Sequence, residues 1–312
     1  MTRLSAIVAC YRDGPAIIPM YERLCAIAEE ISVELEVVFV NDASPDDAEN
    51  ILRDLAAKDR RVVAVNHSRN FGSQAAFTSG MRVCTGDIVV LMDGDLQDPP
   101  EVIRGLYEKW KEGYDVVYGV RVKRDASLFL QASYKIFYRL LRRLSYLDIP
   151  CDAGDFSLLD RKVVAALEQF PERDRFLRGL RAYAGFRQIG VPYVRPERMF
   201  GRTTNNLFKN IAWARKGILS FSYRPLEWIS WIALIVTAAA VSAIFYYLGR
   251  YLFVHDAPRG FTTLLLAVLF LGGMQLLCLA IIGDYVGRIF EEVKQRPLYL
   301  VKSIFNDPRA RD

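Results

Sequence analysis

Short apolar runs alternate with longer mixed stretches through the first 120 residues. Leu4 to Cys10, Leu35 to Val40, Val62 to Val65, Ile88 to Met92 and Val116 to Val120 are four to seven residues long and almost free of polar side chains. That is the pattern of strands buried on both faces. The stretches between them predict helices. Pro15 opens the first, a favoured first-turn position. Ser44-Pro45-Asp46-Asp47 reads as a capping box that starts the second, with Pro45 at its first position. A third is expected after Gly72 and as far as Cys84, and a fourth over Val102 to Glu112. Regular alternation predicts an α/β fold with a mostly parallel, doubly wound sheet. Such sheets bind ligands beyond the carboxyl ends of their strands. Here those ends carry Arg12 and Asp13, Asp42, Arg69, Asp93 and Asp95, and Arg121, with Arg124 just beyond.

The later chain has a different texture. Leu128 to Leu147 is amphipathic at helical spacing, with aromatics and leucines on one side and Lys135, Arg139, Arg142 and Arg143 on the other. Such a helix lies in a membrane interface or packs on the sheet with a solvated basic face, and both readings stay open. In CDAGDFSLLDR, Asp152 and Asp155 flank Gly154 ahead of a short apolar strand, and Arg173 to Ala184 is expected to be helical. Arg195 to Lys216 is basic. Trp228 to Gly249 and Gly260 to Gly283 are uncharged for 22 and 24 residues, long enough as helices to cross a bilayer. Lys and Arg crowd the outer flanks of this hairpin, which predicts both chain ends on the cytoplasmic side. The expected organisation is a cytoplasmic catalytic domain over 1–225, with interfacial helices near 128–147 and 205–222. A transmembrane hairpin over 226–284 and a cytoplasmic tail over 285–312 follow.

Composition narrows the partners. Of 312 residues 52% are hydrophobic, and the formal net charge is +5. The basic residues gather near the apolar spans, which favours a lipid bilayer surface over nucleic acid. Five cysteines, Cys10, Cys25, Cys84, Cys151 and Cys278, show no zinc-ligand spacing and are expected to be reduced thiols. No signal peptide is expected, since the first apolar run is short and leads into a strand. Neither a Gly-x-Gly-x-x-Gly turn nor a Walker loop is present.

Candidate chemistry concentrates in IVVLMDGDLQDPPE, Ile88 to Glu101. A buried strand that ends in Asp93-Gly94-Asp95 places two carboxylates at the binding edge, and Gly94 is expected to let the backbone turn sharply between them. Clustered Asp oxygens suit a hard divalent cation, which typically shares its site with substrate phosphates. The alternative for an isolated Asp-Gly-Asp is a polar turn ahead of a helix begun by Pro99 and Pro100.

The ordered set NDASPDD, RNFGSQAAFTSG, DGDLQDPPE, DVVYGVR and CDAGDFSLLDR, followed by two apolar spans, resembles the family 2 glycosyltransferases that charge a polyprenyl phosphate. These are the bactoprenol glucosyltransferases and dolichol-phosphate-mannose-synthase-like enzymes. The resemblance implies a GT-A fold, a nucleotide-diphosphate sugar donor, a lipid phosphate acceptor such as undecaprenyl phosphate, Mg²⁺ or Mn²⁺, and a homo-oligomer in the bacterial plasma membrane. It implies that Asp93, Asp95 and Gln97 hold metal and diphosphate, and that Tyr11, Asp13 and Asp42 serve the donor. Arg121 would bind phosphate, and Asp155 would face the acceptor. Arg124, Arg198, Arg202 and Thr203 would meet the acceptor phosphate. The first loop, Ala9-Cys10-Tyr11-Arg12-Asp13, departs from the usual Pro-x-Tyr-Asn-Glu. Thr204 and Asn205 replace the Lys and Tyr usual after Thr203, so a cation there comes from Arg202 or Lys209, or is absent.

The expected reaction is inverting transfer of one hexose, with glucose from UDP-glucose first among donors. GDP-mannose, UDP-N-acetylhexosamine or a modified UDP-sugar are the alternatives. A processive synthase is disfavoured by the absence of Gln-x-x-Arg-Trp. A non-catalytic nucleotide-sugar-binding membrane protein is disfavoured by the retained acids, and a structural scaffold has no need of them.

Overall fold

The computed structural model describes residues 1–121, 153–195, 224–254 and 260–311. Five strands fall where the apolar runs predict them: β1 (Arg3–Cys10), β2 (Glu34–Asn41), β3 (Val62–His67), β4 (Ile88–Asp93) and β5 (Val116–Arg121). The helices between them are α1 (Ile17–Glu30), α2 (Ala48–Lys58), α3 (Ser73–Met81) and α4 (Val102–Lys111). Then follow β6 (Ala153–Asp160), α5 (Arg161–Gln169), α6 (Leu177–Ala184), β7 (Gln188–Tyr193), two long helices α7 (Arg224–Val254) and α8 (Phe261–Lys294), and β8 (Val301–Phe305).

Among the described residues these strands form one eight-stranded sheet, ordered β7-β5-β6-β4-β1-β2-β3-β8. Strand alternation sends successive side chains to opposite faces. Leu4, Ala6 and Val8 pack toward α1, α2 and α4, whereas Ile7 and Ala9 pack with α3, α5 and α6. Both faces are therefore covered, which is why the central strands are apolar throughout. Gly80 lets α3 settle closely on β1, since a Cβ there would lie 2.4 Å from Ile7 Cγ2.

Two strands break the parallel pattern, and both matter for the binding edge. β6 is inserted antiparallel between β4 and β5, so its first residues, Gly154 and Asp155, lie where β4 and β5 end. β8 pairs antiparallel with β3. Beyond residue 284 the chain thus extends α8 to Lys294 and then returns as β8 to close the sheet's edge. β7 adds parallel to β5.

Several boundaries differ from expectation. The capping box does not form. Ser44 Oγ bonds Asp46 within the loop, Asp46 also accepts the Ala48 N–H, and α2 begins only at Ala48. The helix expected from Arg173 begins at Leu177, because the Arg173 N–H is bonded at 2.9 Å to Glu292 on α8.

Helices α7 and α8 contain 31 and 34 residues, roughly 46 and 51 Å at the rise of an α-helix. Each is long and apolar enough to cross a membrane, over Leu226–Ala243 and Ala267–Lys294 respectively, and none of either window is buried in the protein. Trp231, Leu276 and similar side chains stand exposed, unlike those of a core helix. The carboxyl end of α8 meets the sheet domain, where Arg288 pairs with Asp174 at 3.2 Å. The expected interfacial helices near 128–147 and 205–222 lie outside the described residues.

Candidate active site

A cleft of about 340 Å³ opens along the carboxyl edge of the sheet. Its walls come from successive strand ends: Cys10, Tyr11 and Asp13 after β1, Asp42 after β2, Asn70, Gly72 and Ser73 before α3, and Asp93 and Asp95 at β4. Three non-glycine residues with left-handed backbone, Arg12, Ala43 and Leu96, sit in the loops beyond β1, β2 and β4. Such conformations are disfavoured for side-chain-bearing residues and cluster where a site fixes its loops.

The acids after β4 form its most charged wall. Gly94 acts by close approach rather than by a left-handed turn. Its N–H donates to the Ala9 carbonyl at 2.8 Å, and a Cβ there would lie 3.0 Å from that same oxygen. Asp95 and Asp98 are buried, and Asp95 accepts the Gln97 N–H at 3.0 Å. Burial, then the negative charges of Asp98, Asp95 and Asp155, push the Asp93 carboxyl up to about 7. Arg195, just past β7, reaches across, with Nη2 3.8 Å from Asp95 and Nε 3.6 Å from Asp98. Tyr193 donates to Asp98 at 2.5 Å and accepts from Arg121 Nε at 3.2 Å. Arg121 Nη2 lies 3.8 Å from Asp98.

Among the described residues, no group of three or more His, Cys, Asp or Glu side chains makes a ready cage for a metal ion. A Mg²⁺-type site needs less from the protein, because one or two carboxylates share the ion with substrate phosphates. Asp93 and Asp95 lie together on the cleft wall, and the Asp93 carboxyl, raised by burial and by neighbouring acids, is a group whose ionised form a cation would favour; they fit that demand.

Asp155 lies beside this wall on β6. Arg178 of α6 grips it through two nitrogens, Nε to Oδ1 at 3.1 Å and Nη2 to Oδ2 at 3.3 Å, and Gln74 donates to Oδ2 at 3.1 Å. Burial pushes this carboxyl up, but Arg178, Arg181 and Arg121 outweigh it, and it sits below the usual carboxylate range. Buried Arg181 donates to Ser157 Oγ and to the Gly154 carbonyl, and burial draws its own pKa down to about 10. On the other side of the cleft, Asp42 is engaged inside the protein. It contacts His67 Nδ1 at 2.8 Å and accepts the Phe71 and Gly72 N–H groups at 2.8 and 2.7 Å.

Tyr11, Asp13, Asp42, Asp93 and Asp95 therefore converge on one cleft, with Asp155 and Arg121 in the network beside it. Gln97 contributes a main-chain bond to Asp95. Arg124, Arg198, Arg202 and Thr203 lie outside the described residues. Sequence reading did not single out Asp98, Gln74, Tyr193, Arg195 or the Asp42–His67 pair as site groups. The available signals were the third acid of DGDLQD and the Arg178/Arg181 pair, spaced by one helical turn.

The candidate site is thus a cleft at one edge of a mixed, mostly parallel α/β sheet, with acids at the end of the fourth strand. The family model for glycosyl transferase family 2 matches residues 5–167. A Bacillus subtilis (strain 168) protein named uncharacterized glycosyltransferase YkcC is 40% identical over 98% of this chain and 95% of its own length. The prophage bactoprenol glucosyl transferase homolog of Escherichia coli K12 is 37% identical, over 97% of this chain and 99% of that one. The bactoprenol glucosyl transferase of Shigella phage SfX is also 37% identical, over 96% and 99%. Among solved structures, Mycobacterium tuberculosis glucosyl-3-phosphoglycerate synthase with Mn²⁺ and UDP-glucose aligns distantly, with a TM-score of 0.45 and 18% identity over 69% of this chain and 76% of that one. The chain belongs to glycosyl transferase family 2 and is a glycosyltransferase.

Proposed function

We propose that this enzyme transfers one hexose, glucose from UDP-glucose, to undecaprenyl phosphate at the cytoplasmic face of a bacterial plasma membrane, with inversion at the anomeric carbon. The observation that carries this reading is an acid-walled cleft in a domain against which the second of two long apolar helices ends. Relatives named bactoprenol glucosyl transferases, similar over nearly their whole length, support the acceptor and the sugar.

A phosphate oxygen of the lipid attacks the anomeric carbon, the bond from that carbon to the donor's β-phosphate oxygen breaks, and a nucleoside diphosphate leaves. Asp93 and Asp95 would hold a divalent cation, which neutralises the leaving diphosphate as a Lewis acid. Arg195, facing Asp95 and Asp98, and Arg121, facing Asp98, are placed to contact phosphate through charge-assisted hydrogen bonds. A phosphate monoester has its second pKa near about 6 and is mostly dianionic at neutral pH, so the nucleophile needs no strong base. Asp155, gripped by Arg178 and held below the usual carboxylate range, is suited to orienting cationic groups toward the acceptor rather than to taking a proton. Apolar helices that anchor the domain would hold it at the bilayer surface, so that a very apolar acceptor reacts without leaving the bilayer.

The test is radiolabel transfer by the purified full-length protein in detergent. It uses undecaprenyl phosphate, Mg²⁺ or Mn²⁺, and a panel of UDP- and GDP-sugars. A chelator-sensitive, lipid-extractable product from UDP-glucose is expected. Product from another donor alone would replace the sugar assignment. Binding of a donor without product would overturn the acceptor.

A further inference from the structure

His67 closes β3 and is fully buried. Its Nδ1 lies 2.8 Å from Asp42 Oδ1 and its Nε2 2.9 Å from Ser79 Oγ. The ring stacks on Tyr299, with centroids 5.3 Å apart and planes within 13°, and meets the edge of Phe71 at 5.7 Å. Tyr299 lies in the short segment that joins α8 to β8. In that segment the Leu300 carbonyl accepts the Ser68 N–H at 2.9 Å, and Val301 stands in register with His67. A continuous path of contacts therefore runs from the end of the second apolar helix, through Tyr299 and His67, to Asp42. It ends at the Phe71 and Gly72 amides that Asp42 holds on the cleft wall.

The held loop needs this support. Gly72 has φ +92° with nothing near a would-be Cβ, so its conformation is not imposed by packing. A glycine there is free to take many backbone states; its carbonyl is held by the Ala75 and Ala76 amides, and on its amino side the two bonds to Asp42 select one state. Asp42 is in turn oriented by an imidazole whose face is covered by Tyr299. An edge strand serving only to close the sheet has no need to place an aromatic ring over that one histidine.

We propose that Tyr299 is a positioning residue for the donor. The segment that returns from the membrane helices sets the loop at 70–73 by stacking on His67, so that nucleotide affinity depends on the chain beyond the second span. The inference rests on the assignment of the cleft to a nucleotide-sugar donor. Stacked aromatic pairs are worth enough to change affinity roughly threefold to tenfold when removed.

The experiment compares full-length wild type with Tyr299→Ala, Tyr299→Phe and Lys302→Ala in detergent. Lys302→Ala removes the 2.9 Å pair with Glu49 from the adjoining strand β8 and leaves both stacked rings in place. Amide hydrogen exchange is read over 68–73, and UDP affinity is measured by calorimetry with Mn²⁺. Tyr299→Ala is expected to exchange faster at Phe71 and Gly72 and to bind UDP roughly threefold to tenfold more weakly, with kcat at saturating UDP-glucose nearly unchanged. Tyr299→Phe, which keeps the stack, is expected to restore both. Tyr299→Leu replaces Tyr299→Ala should the latter not fold. Wild-type exchange and affinity in the Ala or Leu variant, or equal weakening by Lys302→Ala, would overturn the proposal. If wild type binds no UDP, the donor reading fails by itself, and the exchange at Phe71 and Gly72 still decides the role of Tyr299.

Discussion

Asp93 is expected to destabilise the metal-free protein in proportion to its charge. Its carboxyl is pushed from the ordinary 3.8 to about 7, first by burial and then by Asp98, Asp95 and Asp155. A group whose folded pKa is raised contributes its stability below the unfolded pKa and loses it as pH rises through the folded value. The metal-free wild type should therefore weaken steadily from about pH 4 to about pH 7. The rise is about three units, so at ~1.4 kcal/mol each the ceiling is ~4 kcal/mol. Asp93→Asn keeps the side chain's shape and removes the charge. In thermal unfolding of the full-length protein with chelator, the two proteins should melt alike near pH 4.5. At pH 8 the Asn variant should melt higher by about 5 °C, for roughly half the ceiling. Saturating Mn²⁺ should reverse that order at pH 8, because only the wild type regains a partner for its charge, and transfer activity should be lost in the variant. Curves that stay parallel from pH 4.5 to 8 would refute the reasoning, as would an Asn variant no more stable at pH 8.

Other perturbations separate the remaining roles. Asp155→Asn should lower kcat roughly a hundredfold while leaving the pH profile unchanged between 6 and 8, because Asp155 is already ionised throughout that range; a lost acid limb would instead make it a base. Arg195→Ala should tighten Mn²⁺ binding without donor by roughly tenfold, since a guanidinium now faces Asp95 and Asp98; weaker binding in calorimetry would contradict that account. Gly94→Ala should push β4 from β1, because its Cβ would lie 3.1 Å from Cys10 Sγ, and should lower both the melting temperature and the activity; wild-type values in both assays would show the wall to be more yielding than its geometry.

The parts legible in the sequence were those with a local signature. The strands β1 to β5 are apolar because both sheet faces are covered, and their polar ends follow at once, so the sequence pattern alone assigns Asp13, Asp42, Asp93 and Asp95 to one edge. The parts that were hidden depend on pairing across long separations. Nothing in AGDFSLLD says that it runs antiparallel between β4 and β5, yet that inversion is what carries Asp155 to the acid wall. Nothing local in VKSIF says that it closes the sheet beside β3.

The same asymmetry explains which site residues were missed. Arg178 and Arg181 are positive charges on a helical stretch with no local sign of a partner, and Arg195 opens a basic stretch that reads as a site for an anionic lipid headgroup beside the apolar span. They acquire a role only when β6 and β7 bring Asp155, Asp95 and Asp98 to them. Buried or half-buried guanidinium groups need carboxylate partners to offset desolvation, and buried carboxylates need cations. A cluster of acids on one wall therefore predicts arginines on whichever elements close around it, even where sequence order gives no hint of which. In this enzyme the elements that close the wall come after the alternating half of the chain, so its site is assembled by the strands that sequence periodicity describes least well.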